Sequence, residues 1–145
     1  MKKKHMFSVE FIVTALVVIA LFVLFVPKCV KTTKQAKENT IVANLSVLRS
    51  AIALYYGDND GNYPKGDVAK ALIDGGYISE IPKAYSLGHH PVSNKIVDAN
   101  DLQSDDSGTW AYKSDDIEND SGRRKGEIWL NCTHVNSKGE VLNEL

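Results

Sequence analysis

Six aspartates crowd one stretch of the chain: Asp101, Asp105, Asp106, Asp115, Asp116 and Asp120, around the aromatic run TWAYK. Carboxylate oxygens converging from such a loop are the ligand type that Ca2+ takes. Asp105, Asp106, Asp115 and Asp116 are the candidate ligands, and the competing reading is a plain acidic, solvated loop. An EF-hand is excluded in YYGDNDGNYP. Counting from Asp58, Tyr63 and Ala69 stand where that loop needs Gly and Glu. His89, His90 and His134 offer imidazoles without a recognisable ligand spacing, so His89-His90 reads as a solvated pair in a polar loop. Cys29 and Cys132 make an even count, which permits a disulfide or leaves two unrelated thiols. No nucleophile–base pair, phosphate loop or cysteine cluster is visible, and the chain reads as a non-enzyme.

One further carboxylate stands apart. Glu10 interrupts the apolar run FSVEFIVTALVVIALFVLFV. A charge there is costly unless it lies at an interface or meets a partner charge. The run is about 20 residues, the length of a helix that crosses a hydrocarbon core. Lys2, Lys3 and Lys4 precede it, and the positive-inside rule puts that end in the cytoplasm, with everything after Pro27 outside. The exit Val26-Pro27-Lys28-Cys29 has no small-residue cleavage pattern, so the segment reads as retained rather than as a secretory or lipoprotein signal.

The elements that would position these groups follow from periodicity. At 145 residues the chain is one small domain plus its first segment. Its 43% hydrophobic content is inflated by that segment, so the core beyond it is modest. A net charge of -1 gives no sign of nucleic-acid binding. Ile41, Leu45, Leu48, Ile52 and Tyr55 recur at helical spacing, one face of an amphipathic helix continuing past Pro27 to about Tyr56. Pro27 should bend that helix rather than end it. Asp67 can cap a short helix over Val68 to Ile73, closed by Gly75-Gly76. The stretch GYISEIPK reads as extended, and residues 84–108 as a long polar loop. Thr109–Lys113 and Glu127–Cys132 read as an antiparallel hairpin, and EVLNEL as a short third strand or a loose tail. One face of the sheet, through Trp110, Tyr112, Ile128 or Trp129, would cover the helical stripe. The expected class is α+β: a long N-terminal helix with a transmembrane first half, packed against a small antiparallel sheet.

KKKHMFSVEFIVTALVVIALFVLFVP resembles the N-terminus of type IV pilins and of the pseudopilins of type II secretion. NLSVLRSAIALYYGDNDGNYP is similar to the end of the long helix in major pseudopilins, and GTWAYK…GEIWLNCTHVNSKGE resembles the C-terminal hairpin of a bacterial subgroup of prepilin-type proteins. The resemblance implies a leader over 1–5 and a cut between His5 and Met6, with Met6 as the N-methylated new terminus. It also implies a membrane helix over 6–27 bent at Pro27, its amphipathic continuation over 28–56, and an extracytoplasmic head over 57–145. His5 departs from the family's glycine at the cut. Glu10 falls on the glutamate that meets the α-amine of a neighbouring subunit during assembly. The implied role is a filament or pseudopilus subunit of the bacterial inner membrane. Its partners would be copies of itself, minor pilins or pseudopilins, a prepilin peptidase and an inner-membrane assembly platform. A calcium site like that of major pseudopilins falls on the acidic loops. The alternative is an uncleaved, single-pass anchored binding protein outside the cytoplasm.

Overall fold

The computed structural model describes residues 3–102, 106–115 and 122–145, with side chains outside 3–8 and 23–32. Helix α1 covers Lys3–Asp58 and helix α2 covers Val68–Asp74. Three short strands follow, β1 (Ile96–Asp98), β2 (Trp110–Tyr112) and β3 (Ile128–Leu130). Single turns of 3-10 helix occupy Ala99–Asp101 and Leu142–Glu144. The chain divides into two compact units, Met1–Ala36 and Lys37–Leu145, and the second is called the head below.

The sheet corrects the expected architecture. It is mixed, in the order β1-β2-β3, because β1 pairs parallel to β2 with Ile96 opposite Trp110 and Asp98 opposite Tyr112. β2 and β3 pair antiparallel, Trp110 opposite Leu130 and Tyr112 opposite Ile128. The added strand comes from the segment that the sequence presents as an aperiodic polar loop. Three half-buried residues are too few to show an alternation.

The expected membrane span, and with it the single-pass inner-membrane placement, is also corrected. Among the described residues, no helix is long and apolar enough to cross a membrane. Such a span needs about 20 consecutive, predominantly apolar residues in one helix.

Inside the head, Ile41, Leu45, Leu48, Ala51 and Ile52 line one face of α1 and are buried. They share a core with Trp110, Tyr112, Ile128 and Leu130, which project from one side of the sheet, and with Val68 and Leu72 of α2. Residues two apart on a strand point the same way, so the intervening Trp129 lies on the other face, where the Arg123 guanidinium sits 5.0 Å from its ring centre. The polar tips of the core aromatics are satisfied. Trp110 Nε1 donates to the Pro82 carbonyl at 2.7 Å, and the Tyr112 hydroxyl donates to the Pro64 carbonyl at 3.2 Å. Burial raises the Tyr112 hydroxyl well above its ordinary pKa. Polar bonds from α1 add to this packing. Glu38, itself buried, accepts from the Ser137 amide at 2.8 Å and from its hydroxyl at 2.5 Å. Asn44 donates to the Lys83 carbonyl, and Arg49 to the Leu145 main-chain oxygen.

The cap of α2 forms because an Asp ahead of the first turn accepts from a helix amide that has no intrahelical partner. Asp67 accepts from the Lys70 amide at 3.0 Å. At the other end the Gly75 amide bonds back to Ala71, and Gly76 turns the chain at φ +75.

Glu127 ties the approach to β3. Its Oε1 accepts from Arg123 at 2.6 Å and its Oε2 from the Arg124 amide at 3.1 Å. Arg123 also donates to the Asn143 carbonyl. Burial pushes the Glu127 carboxyl up, but the Arg123 and Arg124 contacts outweigh it and hold the group below the usual range. A carboxylate lowered in the folded state stabilises above its unfolded pKa of about 4.3, and that contribution fades as pH falls through the folded value. Glu127→Gln should therefore cost about 1–2 kcal/mol at neutral pH. The cost should shrink toward zero below about pH 4. Urea unfolding across pH measures it, and a pH-independent loss would refute the charge assignment.

Candidate metal centre

Three segments of the head meet beside the β2–β3 pair, at the end where β2 begins and β3 finishes. The pairing continues there outside the strands, the Gly108 amide donating to the Asn131 carbonyl at 2.7 Å and the Asn131 amide to the Thr109 carbonyl at 2.9 Å. This fixes 106–109 against 131–134. The third segment is a turn held by Ser86. Its hydroxyl accepts from the His90 amide at 2.9 Å and lies 3.0 Å from the His90 carbonyl. The bridge between Ala84 and Ser93 closes the base of that turn.

His90 then reaches Asp106, with Nε2 2.9 Å from Oδ1. The same oxygen accepts from the Thr133 amide at 3.0 Å and lies 3.5 Å from His134 Nδ1. Cys132 Sγ is 3.5 Å from that nitrogen. One ligand atom from each of His90, Asp106, Cys132 and His134 lies within 4.8 Å of every other. Cys132 is buried and free of any disulfide, whereas the side chain of Cys29 lies outside those described. The His89 ring stacks on His134, with centres 3.9 Å apart and planes 7° apart. Gly108 gives His90 its room: at φ +70 it faces the His90 side chain, and a Cβ there would come within 2.4 Å of His90 Cβ.

Electrostatics in the cluster are set locally. The Thr133 amide, helped by His90 and opposed by burial, holds the Asp106 carboxyl below its ordinary range. Burial pushes the Cys132 thiol up, with the His134 amide opposing.

The solvated reading of the His89-His90 pair holds for His89, which is exposed and stacks on His134, but not for His90, which converges with His134 on one carboxylate. The donors come from three parts of the chain, which is why no spacing displays them. The one local cue is Cys132-Thr133-His134, two ligand types two residues apart. The four candidate calcium ligands have separate fates. Asp106 lies in this cluster. Asp115 lies 3.6 Å from the buried Lys113 ammonium and accepts from Asn100 at 2.9 Å. Asp105 and Asp116 fall outside the described residues.

At the other end of the sequence, His5, Met6 and Pro27 all lie within α1, which is continuous through position 27, but their side chains are outside those described. Glu10 is exposed, and its carbonyl accepts from the Thr14 hydroxyl at 2.7 Å. The head also bears a cleft of about 420 Å³. Arg49, Tyr56, Tyr63, Arg124 and Lys125 are among the residues lining it.

The architecture is therefore a small α+β head, with a mixed three-stranded sheet and a mixed nitrogen, sulfur and oxygen donor cluster, following an apolar helical segment. No family model, curated protein or solved structure matches the chain.

Proposed function

We propose that this protein is a structural subunit of a helix-cored filament, of the kind its sequence resembles in type IV pili and type II secretion pseudopili. The observation that carries the proposal is the exposure of residues 9–22. Leu16, Val17, Val18 and Ile19 are 61%, 55%, 50% and 58% exposed. Successive helical residues point about 100° apart, so these four cover every side of the helix. A helix that is apolar all round is one that other structure covers. Ten large apolar side chains between Val9 and Phe22 are exposed. Complete burial of each is worth about 1.5–3 kcal/mol. Half of that, about 7–15 kcal/mol, is comparable with the roughly 4–15 kcal/mol lost in association. The occupant proposed is the same segment of further copies of this chain, because the Lys37–Leu145 unit buries its own core.

In this reading a prepilin peptidase removes residues 1–5 and Met6 becomes a methylated terminus. Intact mass of protein taken from cells with an active prepilin peptidase tests it. The expected mass lacks Met1–His5 and carries one added methyl group. A mass retaining those five residues would overturn the processing step, and His5→Gly should accelerate the cut by restoring the small residue beside the scissile bond.

A further inference from the structure

We propose that His90, Asp106, Cys132 and His134 together bind one divalent transition-metal ion, with Zn2+ the best match. The dimensions support it. With metal–ligand distances of about 2.0–2.3 Å, the ligand atoms of a tetrahedral zinc site stand about 3.3–3.8 Å apart. Here the contacts are 2.9, 3.5 and 3.5 Å, and every pair is within 4.8 Å. Small side-chain adjustments turn that group into a coordination shell.

The donor chemistry selects the ion. Two imidazoles, a thiol and one carboxylate suit a borderline or soft cation. Ca2+ takes six to eight oxygens instead. On binding, the thiol bond to hydrogen breaks, the proton goes to solvent and the thiolate lone pair goes to the metal. Thiolate and carboxylate then supply two negative charges, which neutralise a divalent ion beside the buried Cys132. Four protein ligands complete a tetrahedron, the closed arrangement of a structural site. The surroundings are built for it: the Thr133 amide orients Asp106, His89 stacks on His134, and Gly108 leaves space for His90. The ion would join the 86–93 turn, the 106–109 segment and the residues after β3, which lie outside regular strands and helices.

The test uses the full chain, stripped with chelator and titrated with Co2+ alone. One equivalent should produce the strong visible bands of tetrahedral cobalt and a near-ultraviolet thiolate-to-metal band. Zn2+ should bleach both, and millimolar Ca2+ should leave them unchanged. Cys29→Ser should keep the thiolate band. Cys132→Ser should lose it and weaken Zn2+ binding on the order of a hundredfold or more. His134→Gln should weaken binding comparably. A folded wild-type chain that shows no tetrahedral spectrum would overturn the site. Loss of the thiolate band in Cys29→Ser, or its survival in Cys132→Ser, would do the same. If Cys132→Ser fails to fold, the wild-type spectrum and Cys29→Ser decide the matter between them.

Discussion

Leu48→Asp should leave the head unfolded under conditions where Val47→Asp scarcely changes its stability. The two positions are neighbours on α1, yet Leu48 is 0% exposed and Val47 is 49% exposed. Leu48 packs in the core shared by α1, α2 and the sheet. Removing a buried leucine costs about 2–5 kcal/mol in lost contacts and residual cavity. Aspartate adds a carboxyl with no partner in an apolar site, which costs several kcal/mol whether it stays charged or takes up a proton. A small domain has about 5–15 kcal/mol in all. Exposed substitutions usually fall within about 0.5 kcal/mol. Circular dichroism and urea unfolding of the two full-length variants measure the contrast. Equal melting would mean that the sheet does not cover this face of α1.

That stripe was readable because five apolar residues recur at helical spacing over fifteen positions. The cap of α2 was readable for an equally local reason, an Asp before the helix and two glycines after it. β2 and β3 announced themselves through aromatic and β-branched runs. β1 did not: Ile96–Asp98 is three residues in polar surroundings, and its parallel partner lies beyond a further segment. What makes it a strand is the edge of β2, a tertiary fact. The same limit hid the donor cluster. Zinc motifs are recognisable when ligands come in close pairs, but here His90 and Asp106 each arrive singly, and only Cys132 and His134 lie close in sequence, two residues apart. Asp106 was visible as a ligand, and its aspartate neighbours pointed toward calcium. Its spatial neighbours are two imidazoles and a thiol. The membrane span illustrates the converse, because composition over residues 7–26 suggested it and no helix among the described residues meets the requirement.

Glu10→Ala and Glu10→Gln should both abolish or misregister assembly while leaving the melting of the head unchanged. Glu10 is the one ionisable side chain in residues 9–22, and it sits between the exposed Val9 and Phe11. The other polar side chain in residues 9–22 is already satisfied, since the Thr14 hydroxyl donates within its own helix to the carbonyls of Glu10 and Phe11. If apolar helices pack around this segment, the carboxylate leaves water. An ion moved into such a place costs several kcal/mol unless it meets an opposite charge with good geometry. The α-amine produced at Met6 of a neighbouring copy is the charge proposed to meet it. Opposite charges favour the one stagger that brings them together, while apolar packing alone tolerates many. Removing the carboxylate strands the amine. Removing only its charge, in Glu10→Gln, strands it equally, so the two variants should behave alike. The head contains none of these atoms and should melt as in wild type. Sedimentation and electron microscopy of assembled material, with a melt of the same samples, give both readouts. Filaments of normal yield and order from Glu10→Gln would show that the charge does not set the register. A lowered melting temperature would place the effect in folding rather than in assembly.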